Sequence, residues 1–147
     1  MAAVIESEFT QLLNLYHRML DEFSRGNPQL AKAMYSQKND VMLANPFGTT
    51  AVGWDKVSEA LDYASSRFRD GEVKDVTLVA KYISPEQITI YEVEKWKSKV
   101  GGKDELSFFE LRVTSTFRLE EKEWRLVHRH ADPISSFNDK GPIRGDH

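Results

Sequence analysis

The chain contains no cysteine. A disulfide framework, a thiolate nucleophile and a cysteine-based zinc site are therefore excluded, and any metal would need His and carboxylate ligands. No apolar run approaches the ~20 residues of a membrane-spanning helix. The opening MAAVIESEFTQLL lacks a positive segment followed by an apolar core, so the expected location is cytoplasmic and reducing. Basic clusters are missing too. Twenty Lys and Arg against 23 Asp and Glu give a net charge of −3, without the basic stripe that a nucleic-acid partner requires. There is no Gly-x-Ser-x-Gly turn and no Gly-rich phosphate loop, which removes the usual signatures of serine hydrolases and nucleotide binding.

What is present is bulk. The 147 residues include eight Phe, five Tyr and three Trp, enough for one domain with a real core. We expect a single domain over residues 1–137 and a flexible tail over 138–147, where Gly and Pro accumulate. Phe9, Leu12, Leu13, Tyr16, Leu20 and Phe23 recur at steps of three and four, which predicts a first helix near residues 5–24. Asn27-Pro28 starts a short second helix reaching about Tyr35. A short strand is expected at Val41–Ala44, followed by a turn at Asn45-Pro46-Phe47-Gly48. A third helix follows Gly53, with Val57, Leu61, Ala64 and Phe68 inside and Asp70-Gly71 as its end. The remainder reads as four long strands: Val73–Ile83, Gln87–Ser98, Leu106–Leu119 and Trp124–Ala131.

Helices first and strands later predict an α+β fold, a curved antiparallel sheet wrapped around the N-terminal helices to form a cone. Both strand faces carry bulk: Ile88, Ile90 and Trp96 on one, Thr89, Tyr91 and Val93 on the other. One apolar face suffices for packing on helices, so the surplus predicts a homodimer through the sheet.

The element order resembles the nuclear transport factor two-like superfamily, which includes ketosteroid isomerase, SnoaL-like polyketide cyclases and kinase association domains. MLANPFGTTAVGW (Met42–Trp54) and LRVTSTFRLEEKEWRLVHRHADP (Leu111–Pro133) carry the resemblance, which spans roughly residues 5–137. It implies a cystatin-like cone with a small-molecule pocket and commonly a dimer, and its recurrent polar set falls on Glu94, Arg112, Thr114, His128, His130 and Asp132. The steroid isomerases' aspartate base is not matched: Leu43, Ala44, Asn45 and Pro46 occupy that region, and Asp40 lies too early.

Strict alternation puts Trp124, Leu126, His128, His130 and Asp132 on one face of the last strand, and Arg125, Val127, Arg129 and Ala131 on the other. His128 and His130 then stand roughly 7 Å apart on the same side. They suit a general acid/base pair oriented by Asp132, or half-buried histidines tied across the sheet or at a dimer interface. Three metal ligands at i, i+2 and i+4 on one strand do not converge, and His17 is on another element, so no metal and no cofactor are expected. Arg112 and Glu94 are either a mutual salt bridge or ligand contacts. Asn45, Phe47, Tyr91, Trp54 and Thr114 complete the candidate binding set.

These residues support two functions. One is a cofactor-independent proton-transfer enzyme of the isomerase, cyclase, dehydratase or hydrolase type, acting on a partly apolar small molecule, with His130 as acid or base. The other is a non-catalytic ligand-binding or oligomerising module. Direction separates them: a histidine strip facing the helices lines the pocket, whereas one facing a partner subunit leaves the pocket to Arg129.

Overall fold

A computed structural model describes residues 6–46, 48 and 50–134. Helix α1 (Glu6–Ser24) buries Phe9, Leu12, Tyr16, Met19, Leu20 and Phe23, the stripe expected from its spacing. Gly26, at φ 90°, ends it: its N–H bonds to the Phe23 carbonyl at 2.9 Å, and Asn27 N–H to the Glu22 carbonyl at 3.1 Å. Helix α2 (Gln29–Met34) follows at once, with Asn27 Oδ1 accepting from Gln29 N–H at 3.1 Å. Strands β1 (Met42–Ala44) and β2 (Ala51–Val52) flank the turn-rich segment, and Gly53 leads into α3 (Trp54–Ser65).

The four long strands are β3 (Phe68–Ile83), β4 (Gln87–Val100), β5 (Leu106–Glu120) and β6 (Glu123–Pro133). The sheet runs β2-β1-β6-β5-β4-β3, with an antiparallel meander from β3 to β6. It is mixed rather than purely antiparallel, because β1 pairs with β6 in parallel. The expected α+β cone is present, with α1, α2 and α3 against one face of the sheet. Among the described residues, no helix is long and apolar enough to cross a membrane.

Two sequence expectations need correction here. Strand β2 was not foreseen, since two residues carry no periodicity. The third helix also stops earlier than Asp70-Gly71. Phe68 continues the helical stripe in sequence, yet it opens β3, where its ring meets Trp96 at 5.3 Å between centroids. Gly71 lies inside that strand because α1 ends against it: a Cβ there would lie 2.5 Å from the Ser24 carbonyl oxygen. The tail over 138–147 and Phe47 lie outside the described residues.

Candidate functional site

Pairing between β5 and β6 decides what faces the cone. Thr116 opposes His128, but its neighbour Phe117 opposes Leu126, so Val127 is an extra residue on β6. This β-bulge breaks the period of two. Before it, Leu126 points inward with Phe117; after it, Arg129 opposes Ser115 and Ala131 opposes Val113, all buried. His128, His130 and Asp132 consequently oppose Thr116, Thr114 and Arg112 on the face away from the helices. The expectation of one continuous strip from Trp124 to Asp132 is corrected: it is cut at Val127.

The inward face carries a buried polar network. Arg129, only 7% exposed, grips Glu94, 0% exposed, through Nη1 to Oε2 at 2.8 Å and Nη2 to Oε1 at 2.9 Å. Trp96 Nε1 donates to the same Oε1 at 2.9 Å. A further Arg129 Nη1 bond, of 2.6 Å, ends on the Tyr16 hydroxyl, which lies 2.5 Å from Ser115 Oγ. Burial lowers the Arg129 pKa, but the Glu94 carboxylate and Tyr16 outweigh it and hold the guanidinium well above its ordinary value. Burial pushes the Tyr16 hydroxyl up to about 12, so it stays neutral.

Beside this network lies a cavity of about 40 Å³. Met19, Leu20 and Phe23 of α1 form one wall, Leu61 and Ala64 of α3 another, and Leu43, Phe68, Trp96, Leu111 and Ala131 of the sheet a third. Polar character comes from Arg129, Tyr35 and Asn45, and the exposed Pro46 lines it as well. Tyr35 is 1% exposed, and its hydroxyl makes no hydrogen bond to any described residue. Burial drives its pKa far above the ordinary tyrosine range, so the group is a neutral donor. Among the described residues, no carboxylate or imidazole lines the cavity.

The structure therefore splits the residues singled out from sequence. Asn45 lines the cavity, and Glu94 stands directly behind it, clamped by Arg129 rather than by Arg112. Arg112, Thr114 and Tyr91 lie on the outer face with the histidines, and half-buried Trp54 packs against the core from the start of α3. His130 Nε2 is 3.4 Å from Asp132 Oδ1, with both side chains more than half exposed. Burial, then the neighbouring His130, lowers the pKa of His128. No group of three or more His, Asp or Glu is placed to hold a metal among the described residues. Tyr16, Tyr35 and Trp96 were missed as polar contributors because each sits within an apolar stripe and reads as core. A second buried carboxylate, Glu92, lies under α1 with Oε2 at 2.7 Å from His17 Nε2 and Oε1 without a partner among the described residues.

The family model for the SnoaL-like domain matches residues 12–135. The chain belongs to the SnoaL-like family. No curated protein matches this SnoaL-like chain in sequence. Among solved structures it is similar to a nuclear transport factor 2 (NTF2-like) superfamily protein from Salmonella enterica serovar Typhimurium, with 16% identity, 96% of this chain and 95% of that one covered, and a TM-score of 0.74. It is also similar to a ketosteroid isomerase-like protein from Erwinia carotovora atroseptica, with 15% identity, 90% and 95% covered, and a TM-score of 0.67. A conserved protein from Planctomyces limnophilus is 20% identical over 88% of this chain and all of that one, with a TM-score of 0.65. At these identities the likeness establishes the cone fold, and chemistry has to come from the site.

Proposed function

We propose that this SnoaL-like chain binds a small, largely apolar organic molecule in the cone cavity and assembles as a homodimer through the outer sheet face. The observation that carries the first half is the inward turn of β6 after the Val127 bulge, which places Arg129 and not the histidines beside an apolar chamber. Binding is favoured over proton transfer because Glu94, the one carboxylate at that place among the described residues, accepts three hydrogen bonds and lies behind the cavity wall. A base must reach the proton it removes, and neither His128 nor His130 is on this side.

A volume of about 40 Å³ holds only a few waters, since a cavity needs roughly 10–15 Å³ to hold one. An organic ligand therefore enters by displacing side chains, and the unbranched Met19 is the most adaptable of the lining groups. The second half of the proposal rests on the outer face. Half-buried Tyr91, Val93 and Thr114 share it with His128, and the helices all pack on the opposite side.

A library of neutral alicyclic and aromatic fragments, titrated against methyl-labelled protein, tests the cavity. Binders should shift the methyl resonances of Leu43, Leu61 and Leu111, and Ala64→Val, which fills the chamber, should weaken them at least tenfold. Shifts confined to residues around His128 and His130 would place the site on the outer face and reverse the assignment.

A further inference from the structure

Counting donors and charges around the cavity narrows the ligand further. Among the described residues, Arg129 is the only charged one in its lining, and cations in pockets ordinarily select carboxylates or phosphates. Here that charge is already matched. Both Glu94 oxygens sit at 2.8 and 2.9 Å on two different guanidinium nitrogens, and a second Nη1 proton goes to Tyr16. An incoming anion would have to shed its water, meet Glu94 as a like charge behind the same guanidinium, and find, apart from Tyr35 and Asn45, an apolar wall.

Tyr35 is the opposite case. Its hydroxyl is neutral, belongs to a cavity-lining residue, and has no hydrogen-bond partner among the described residues. A neutral donor with no bond to the protein is free to pair with a ligand's acceptor oxygen, as one already bonded within the protein is not. Position supports the pairing. Tyr35 closes α2 as its C-cap residue and bridges to Leu126 of β6, immediately before the bulge, so its backbone is fixed on both sides.

We infer that the cavity selects uncharged molecules bearing a hydrogen-bond acceptor oxygen, a carbonyl or an ether, with Tyr35 as the residue that determines this selectivity and the Arg129–Glu94 pair as the device that excludes anions. The inference rests on the cavity being the binding site, as proposed above. A cyclic ketone of five or six carbons represents the class, and its carboxylate counterpart represents what is refused.

Cyclopentanone, cyclopentane and cyclopentanecarboxylate form a matched series for the test, followed through the methyl resonances of Leu43, Leu61 and Leu111. The ketone should bind roughly five- to tenfold more tightly than the hydrocarbon, the span of one net hydrogen bond, and the carboxylate should leave those methyls unmoved. Tyr35→Phe should bring ketone and hydrocarbon level without loss of thermal stability, since it removes a hydroxyl with no protein partner. Glu94→Gln, if it folds, should turn the carboxylate into a binder by leaving Arg129 uncompensated; if it does not fold, Tyr35→Phe carries the test alone. Equal binding of ketone and hydrocarbon in the unaltered protein, or a ketone preference that survives Tyr35→Phe, overturns the inference while leaving the cavity as the site. Preferential binding of the carboxylate overturns it as well. If none of the three probes moves these methyls, the cavity reading itself fails, and the selectivity falls with it.

Discussion

Arg129 and Glu94 hold each other in a place that neither could occupy alone. Removing one partner of a buried pair leaves an uncompensated charge, so Arg129→Met is expected to cost about 3–5 kcal/mol in urea unfolding, and Arg129→Met with Glu94→Leu much less. Additive losses in the double variant would mean that the two do not act as a pair. His128 supplies a second expectation, through pH. Its pKa is lowered in the folded chain by burial and then by His130, so the fold prefers the neutral ring. The unfolded chain therefore takes up that proton first, and stability should fall as pH drops below about 6.5, levelling once the folded form is protonated too. In His128→Gln that part of the slope should vanish from a pH series of unfolding midpoints; an unchanged slope would assign it to another group.

Strand β6 shows what an element's sequence can and cannot reveal. The stripe of α1 and the alternation of β4 and β5 were legible because one burial pattern runs through each without interruption. The Val127 bulge was not, because it depends on which residue of β5 faces which residue of β6, and either register preserves a plausible pattern locally. That single extra residue moved His128, His130 and Asp132 out of the expected site, and it placed Arg129 there, the branch left open by direction. The end of α3 failed for a different reason: Phe68 satisfies a helical stripe and a strand equally. Deleting Val127 should be tolerated, since Leu126 and His128 already oppose adjacent residues of β5. Deleting Val113, in an evenly paired stretch, should abolish cooperative unfolding because every residue on one side of it would change face.

At the scale of the whole molecule, we propose that the two faces of one sheet serve two tasks: the inner binds a ligand, the outer a second copy. Tyr91→Asp combined with Val93→Asp puts charge on the outer face without touching the core, and sedimentation velocity should report monomers in place of the dimer proposed for the unaltered protein. The most direct measurement of the central claim is ligand titration of the His128→Ala/His130→Ala double variant, read through the cavity leucine methyls with a fragment that binds the unaltered protein. The expected affinity is within about twofold of the unaltered chain, a difference below roughly 0.5 kcal/mol and typical of a residue that does not touch the ligand. Loss of binding in a variant that still folds would contradict it and return the site to the histidines.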